Sequence, residues 1–213
     1  MKIAVIGAGG VGGYFGGRLA LGGHDVHFLA RGRHLHAMRG NGLVIECDGG
    51  PFVVRSPNVT DDPRALKGAP IVLNTVKLWD LAQNGRDIAA AGVVGAETVV
   101  IPFQNGVEAI DLLAEGIPRE RIASGVAYIA ATIREPGVIA VTGKMARLRF
   151  GPTAESQRAV MQSFADACKS AGIDADLSID IRRTLWEKFI FLNAFSGVTA
   201  VSRTLPRRFV SRA

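Results

Sequence analysis

A glycine-rich segment near the start of the chain constrains the fold more than any other feature of the sequence. The short apolar run Ala4-Val5-Ile6 is typical of a buried strand of a parallel sheet. It ends at Gly7, and an apolar helix is expected from about Val11 to Leu21. A strand, a glycine turn and a helix in this order are the context in which the pattern GxGxxG carries meaning. The order predicts the first βα unit of a doubly wound α/β fold, with a merely flexible loop as the alternative.

The glycines of this segment have separate predicted roles. Gly7 makes the tight turn, Gly9 lets the backbone approach a pyrophosphate, and Gly12 lets the helix pack closely on the strand. Gly16, one turn further on, places no side chain between the helix and the sheet, so that the two can pack closely. The unpaired N–H groups and the positive dipole end at the helix N-terminus favour phosphate. The segment therefore predicts a dinucleotide site of the Rossmann type.

The end of the second predicted strand indicates which dinucleotide binds. This strand, residues 24–29, follows a Gly22-Gly23 turn and leads into Ala30-Arg31-Gly32-Arg33. In NAD-preferring folds an Asp or Glu at this place takes the ribose 2′-hydroxyl. A guanidinium can instead pair bidentately with a 2′-phosphate. We therefore expect NADP(H), with Arg31 as the main clamp and Arg33 as the second, against the alternative of a solvated loop arginine.

Two later predicted strands end in polar residues at the same edge of the sheet. The strand at 70–76 ends at Lys77, and the strand at 98–103 is followed by the turn Gln104-Asn105-Gly106. The carboxyl ends of parallel strands form the crevice in which such folds bind ligands. Lys77 and Asn105 are therefore candidate ligand contacts, although a solvated lysine and a purely conformational Asn-Gly turn are alternatives.

Composition limits the class of protein. The chain has 213 residues, 48% hydrophobic and 21% charged, which indicates a globular chain with one domain and part of another. Cys47 and Cys168 lie far apart, which argues against structural zinc or disulfides and fits a reducing cytoplasm. His34 and His36 have no metal-ligand neighbours in the sequence and are interpreted as surface residues. No metal site is expected.

The positive charge is concentrated at the end of the chain. The formal net charge of +6 falls to +2 when four arginines of residues 202–213 are left out, namely Arg203, Arg207, Arg208 and Arg212. A basic tail alone is weak evidence for a polyanion partner, so no nucleic-acid partner is expected. No stretch approaches the ~18 apolar residues of a membrane span, so no membrane association is expected either.

The remaining pattern divides the chain in two. Residues 42–47 and 52–55 flank a turn and predict a hairpin. Further strands are predicted at 124–130, 137–141, 146–150 and 174–177, with an amphipathic helix over 154–171. We expect the nucleotide-binding domain to occupy 1–179, and residues 180–213 to begin an all-helical second domain.

A lysine lies within the segment that opens this second domain. Residues 180–201 are apolar nearly all round, which predicts a buried helix. A lysine there, Lys188, is costly unless it is paired or has a task, and burial moves its pKa toward the range useful for proton transfer. Composition alone favours a structural ion pair or a lysine that snorkels out of the helix end.

Five separated segments together resemble one family, ketopantoate reductase. They are GAGGVGGYFGGRLA at 7–20, LAR at 29–31, NTVKLWD at 74–80, FQNGV at 103–107 and WEKFIFLNAFSGVTA at 186–200. The resemblance implies reduction of 2-dehydropantoate to (R)-pantoate by NADPH, a step toward pantothenate and coenzyme A. It implies that Lys188 protonates the emerging alkoxide, which replaces the structural interpretation of this lysine.

The resemblance also implies the other site residues. Arg31 and Lys77 match basic residues near the cofactor phosphates, and Asn105 matches an asparagine beside the nicotinamide and the substrate. The cofactor-binding set is Gly7, Gly9, Gly10, Val11, Gly12, Arg31, Lys77 and Asn105. The substrate-binding set, for a small 2-oxo acid, is Asn105, Lys188, Asn193 and Ser196.

The helix that carries Lys188 departs from the family pattern. Family members commonly carry asparagines four and eight residues after the lysine, where this chain has Leu192 and Ser196. Asn193, five positions on, lies about 140° from Lys188 around an ideal helix, and Ser196 about 80°. Two alternative functions therefore stay open: a reductase of another small 2-oxo acid, and an inactive NADP(H)-binding protein.

The family pattern stops near Arg203. The family continues into a full helical domain, and residues 202–213 do not resemble it. A truncation, a frame-shift, or packing of the helix against a second copy in a homodimer would each account for this.

Overall fold

The computed structural model describes residues 1–203 as two β-sheets and six α-helices. The strands are β1 (Lys2–Ile6), β2 (Asp25–Leu29), β3 (Leu43–Glu46), β4 (Phe52–Val54), β5 (Asn58–Thr60), β6 (Ile71–Asn74), β7 (Val99–Pro102), β8 (Ser124–Glu135), β9 (Val138–Gly151) and β10 (Asp174–Leu177). The helices are α1 (Gly10–Leu21), α2 (Gly32–Asn41), α3 (Leu81–Ala90), α4 (Ala109–Leu113), α5 (Arg158–Ser170) and α6 (Ile181–Ser202). Most of the predicted elements are confirmed within a few residues at their ends.

The first sheet is parallel throughout, with strand order β5-β2-β1-β6-β7. Its side chains alternate between two cores, as the two-residue period of a strand requires. In β1, Ile3 and Val5 face the core that contains α1 and α5, whereas Ala4 and Ile6 face the core closed by α3 and α4. Helices on both faces make this a doubly wound Rossmann-type sheet, as the sequence predicts.

A second, mixed sheet packs on the other side of α1. Its long strand β9 pairs antiparallel with β8 along one edge. Along its other edge β9 pairs with β3 near its start and with β10 near its end, both in parallel. The strands of this sheet were predicted, but their assembly into a separate sheet was not.

Helix α1 lies between the two sheets because it has glycine on both faces. A Cβ atom on Gly16 would lie 2.5 Å from the ring of Phe28 in the parallel sheet. A Cβ atom on Gly13 would lie 2.9 Å from Ile139 in the mixed sheet. Gly13 and Gly17 are four residues apart and share a helix face, so this second glycine pair was a signal for the second sheet.

Helix α6 forms where the sequence predicts a helix, but the prediction that it is buried is wrong. Asp180 caps it, with Oδ1 accepting a hydrogen bond from the N–H of Arg183 at 2.9 Å. The only fully buried residues of the helix are Ile181 and Thr184 in its first turn. Helix α6 packs on β8 and β9, but most residues of its later turns are exposed. Phe191 is accordingly 63% exposed.

Across residues 1–203, no helix combines the length and the apolar character needed to cross a membrane. Three arginines of the basic tail, Arg207, Arg208 and Arg212, lie outside the described residues.

Candidate active site

The glycine turn after β1 has the geometry expected of a dinucleotide-binding loop. Gly7 has φ +90°, which L-residues with a side chain rarely adopt, and its N–H donates to the Leu29 carbonyl at 3.1 Å. A Cβ atom on Gly12 would lie 2.3 Å from both the Gly7 carbonyl oxygen and Thr75 Oγ1. Thr75 Oγ1 donates to the Gly7 carbonyl at 2.6 Å. This contact ties the end of β6 to the loop, and the sequence reasoning missed it.

A cavity of about 390 Å³ opens beside this loop at the carboxyl ends of the parallel strands. Gly9 forms part of its wall, and a Cβ atom there would meet nothing within 4 Å. The N–H groups at the start of α1, at Gly10 and Val11, have no intrahelical acceptors. Open space beside unpaired N–H groups fits the pyrophosphate of a dinucleotide.

The two walls of the cavity carry opposite charges. Arg31 lies on the wall that follows β2, and Asp80 and Asp87 lie on the α3 wall. Asp87 accepts a hydrogen bond from Gln83 Nε2 at 2.7 Å. The carboxylates were not singled out in the sequence, because Asp87 lies on α3 and Asp80 directly precedes it, whereas ligand contacts were sought at the ends of strands.

The basic residues predicted for the cofactor lie in different places. Arg31 lines the cavity, whereas Arg33 and Lys77 are exposed and are not among its lining residues in the part of the chain that the structure describes. Lys77 nevertheless follows β6, at the same sheet edge as Gly9. Of the three basic residues, only Arg31 lines the cavity, and Arg33 and Lys77 lie outside its lining.

His34 is not a surface residue, which corrects the sequence interpretation. Its ring is half-buried, lines the cavity, and bridges the glycine loop to the mixed sheet. Nε2 lies 2.8 Å from the Ala8 carbonyl oxygen, and Nδ1 accepts from the N–H of Gly137 at 3.0 Å. The acceptor role of Nδ1 places the ring proton on Nε2. His36 is exposed, as predicted.

Lys188 and Asn105 contact each other, and neither is among the lining residues of the cavity. Lys188 Nζ donates to Asn105 Oδ1 at 2.8 Å and to the Ala127 carbonyl at 2.6 Å. Burial lowers the pKa of Lys188 from 10.5 to about 8. Neither of these partners is a carboxylate, so no negative charge opposes this desolvation effect. A lysine poised this way can act as a general acid near neutral pH.

A buried amide group supports the turn that carries Asn105. Gln104 Nε2 donates to the carbonyl oxygens of Asn74 and Val76, at 3.1 and 2.9 Å. Its Oε1 is buried and has no hydrogen-bond partner among residues 1–203. Asn74 in turn donates to Asn84 Oδ1 at 2.7 Å. This network fixes the ends of β6 and β7, and an unpaired buried acceptor beside Asn105 is compatible with a ligand that donates a hydrogen bond.

The two other predicted substrate residues do not contact Lys188. Asn193 Nδ2 donates to the Phe189 carbonyl of its own helix at 2.8 Å, and Ser196 is exposed. Their role in substrate binding stays a prediction. In the described part of the chain, no group of three or more His, Cys, Asp or Glu side chains could hold a metal ion.

Comparisons of sequence and of structure with known proteins point to the same family. Residues 3–155 match the family described as ketopantoate reductase PanE/ApbA. The chain is 30% identical over 204 residues to 2-dehydropantoate 2-reductase of Halobacterium salinarum, covering 95% of this chain and 66% of that protein. It is 29% identical over 206 residues to an uncharacterized oxidoreductase, YkpB, of Bacillus subtilis, covering 94% of this chain and 65% of that protein.

A crystal structure of 2-dehydropantoate 2-reductase from Porphyromonas gingivalis W83 superposes with a TM-score of 0.87 at 27% identity, covering 100% of this chain and 76% of that one. The chain thus spans just under two thirds of the length of the two curated relatives. Because the family model matches well over half of its residues, the chain belongs to the ketopantoate reductase PanE/ApbA family.

Proposed function

We propose that this chain binds NADP(H) and supplies the proton donor of a 2-oxo acid reductase, which converts 2-dehydropantoate to (R)-pantoate. The observation that carries this proposal is the hydrogen bond of 2.8 Å between Lys188 Nζ and Asn105 Oδ1. It joins the helix after the Rossmann-type domain to the ligand-binding edge of the parallel sheet.

The glycine loop and Arg31 hold the cofactor. The N–H groups at the start of α1 receive the pyrophosphate, and the open space at Gly9 lets it approach. The Arg31 guanidinium pairs with the 2′-phosphate, with Lys77 adding positive charge nearby. When bound, NADPH supplies the hydride for the keto carbon.

Lys188 donates the proton that completes the reduction. The proposed role requires its ammonium group to face the substrate oxygen that gains negative charge, and burial brings its pKa to about 8, close to working pH. Asn105 orients the ammonium through Oδ1, and its Nδ2 has no partner among the described residues and can donate to the substrate. Asn193 and Ser196 supply further polar contacts from α6.

The boundary between the two parts of the chain falls at residue 179 in this proposal. Residues 1–179 form the cofactor domain, and residues 180–213 begin the helical substrate domain. The exposed apolar side chains of α6 also support a homodimer in which α6 meets a second copy. The two cysteines are unpaired, which favours a cytoplasmic protein.

Two departures from the family pattern favour a second candidate, the reduction of another small 2-oxo acid. Leu192 and Ser196 stand where the resemblance calls for asparagines, so the polar contacts offered to the substrate differ. An NADP(H)-binding protein without turnover is the third candidate, because in the described part of the chain the predicted substrate residues Asn193 and Ser196 do not contact Lys188.

A paired assay separates the three candidates. NADPH binding is measured by fluorescence titration, and NADPH oxidation is followed with 2-dehydropantoate and with a panel of smaller 2-oxo acids. Turnover greatest with 2-dehydropantoate supports the first candidate, and turnover greatest with another acid supports the second. Binding without turnover supports the third, and no NADPH binding overturns the whole proposal.

A further inference from the structure

An aromatic ring contacts the proton donor from a direction that its hydrogen bonds do not occupy. Lys188 Nζ lies over the ring of Tyr128, 5.3 Å from the ring centroid. Tyr128 belongs to β8 and directly follows Ala127, whose carbonyl accepts from the same Nζ at 2.6 Å. Three groups therefore surround the ammonium: the Asn105 side chain, the Ala127 carbonyl and the face of the Tyr128 ring.

We propose that Tyr128 is a positioning residue for this site: its ring face holds the Lys188 ammonium against Asn105 and favours its charged form. This inference rests on the proposed function of Lys188 as proton donor. The negative face of an aromatic ring attracts an ammonium within about 6 Å of the centroid. The ring therefore opposes the desolvation that burial imposes on Lys188.

The charged groups around Lys188 do not provide this stabilisation. Among residues 1–203, no carboxylate forms an ion pair with Lys188 within 4.0 Å. On β9, Arg147 lies opposite Tyr128 and pairs with Asp174, and Arg149 pairs with Asp176.

On α6 itself, Arg183 and Glu187 pair with each other. The nearby carboxylates are thus occupied by arginines. The ring face of Tyr128 and two oxygen acceptors, Asn105 Oδ1 and the Ala127 carbonyl, therefore favour the ammonium form of Lys188.

The proposal assigns the effect to the ring and not to the hydroxyl group. Phenylalanine presents the same kind of π face, whereas leucine and methionine fill similar space without one. Tyr128→Phe is therefore the conservative variant, and Tyr128→Leu is the variant that removes the interaction. Tyr128→Met repeats the removal with a more flexible side chain in case the leucine variant does not fold.

The direct test measures Lys188 itself and needs no turnover. The chain has six lysines, so the side-chain signals of ¹³C-labelled lysine can be assigned by comparison with Lys188→Arg and titrated by NMR. The pKa of Lys188 is expected to fall by about 0.4 to 1.5 in Tyr128→Leu and Tyr128→Met. In Tyr128→Phe it should stay within about 0.2 of the wild-type value. Lys169, on α5, is the internal control and should not change.

Two results would overturn the proposal. The first is an unchanged pKa of Lys188 in both variants that lack the ring. The second is an equal fall in Tyr128→Phe, which would assign the effect to the hydroxyl group. If the pKa changes as expected while no variant and no wild-type sample oxidises NADPH, the inference about Tyr128 stands and the proposed function fails.

Discussion

The side chains of Lys188 and Asn105 are 83 residues apart in sequence and joined by a hydrogen bond of 2.8 Å. Asn105 lies in the turn after β7, at the carboxyl edge of the parallel sheet. Lys188 reaches it from α6, the first helix beyond the nucleotide-binding fold. The contact therefore joins an amide group at the sheet edge to an ammonium group that comes from outside the sheet.

The pH dependence of turnover should follow Lys188. Its pKa is lowered to about 8, and only the ammonium form can donate a proton. We expect kcat for reduction of the oxo acid to be level below about pH 7 and to fall tenfold per pH unit well above pH 8. Steady-state rates from pH 6 to 10 check this. A profile that stays flat to pH 10 would contradict the role of Lys188.

The lowered pKa of Lys188 should also make the stability of the fold depend on pH. Between about pH 8 and 10.5 the unfolded chain binds more protons at Lys188 than the folded chain does, so the free energy of unfolding should rise with pH in this window. Lys188→Met lacks this group and serves as the reference.

Arg31 should determine the preference for NADPH over NADH. Arg31→Ala removes a charge-assisted contact with the 2′-phosphate, and we expect the Kd for NADPH to rise by about 10- to 150-fold. NADH lacks that phosphate, so its Kd should change by less than about 3-fold. Fluorescence titration with both cofactors measures the difference, and Arg39→Ala, which removes an exposed arginine of α2 that pairs with Asp61, is the matched control. Equal losses for the two cofactors would show that Arg31 is not the clamp.

His34 should stabilise the fold through its bridge between Ala8 and Gly137. His34→Ala leaves a carbonyl and an N–H without this partner, and the free energy of unfolding should fall by about 1–3 kcal/mol. Urea denaturation measures the loss. The neighbouring exposed histidine gives the control, because His36→Ala should change stability by less than about 0.5 kcal/mol. Similar values for the two variants would mean that the bridge contributes nothing.

Gly12 should tolerate no side chain. A Cβ atom there would lie 2.3 Å from the Gly7 carbonyl oxygen. Because this atom belongs to the backbone, relieving the clash would require a shift of the main chain, which costs free energy. Gly12→Ala should cost about 2 kcal/mol or more. Gly40, on α2, has nothing within 4 Å of a Cβ position, so Gly40→Ala should raise stability by about 0.5 kcal/mol through helix propensity. If both alanines had the same effect, the predicted clash would be wrong.

Local patterns predicted the elements and the placement of candidate site residues along one edge of the parallel sheet. The apolar run before Gly7 gave β1, and the strand-end rule placed Gly9, Arg31 and Asn105 on one edge. These inferences succeeded because the period of a strand and the chemistry of a turn are local in sequence.

Contacts between distant segments could not be predicted in this way. The pairing of β3 with β9 joins Val44 to Val138, and no local signal specifies that register. His34 was misjudged for the same reason, since one of its partners, Gly137, lies 103 residues away. The burial of α6 was overestimated because apolar composition indicates what a helix can bury, not what covers it.

The role of Lys188 as proton donor is tested by comparing the wild-type chain with one variant. Wild-type chain and Lys188→Ala are assayed for NADPH oxidation with 2-dehydropantoate, and NADPH binding is titrated in parallel. We predict that Lys188→Ala lowers kcat by at least about 100-fold while the Kd for NADPH changes by less than about 3-fold. An unchanged kcat in Lys188→Ala would contradict the assignment of Lys188 as the proton donor.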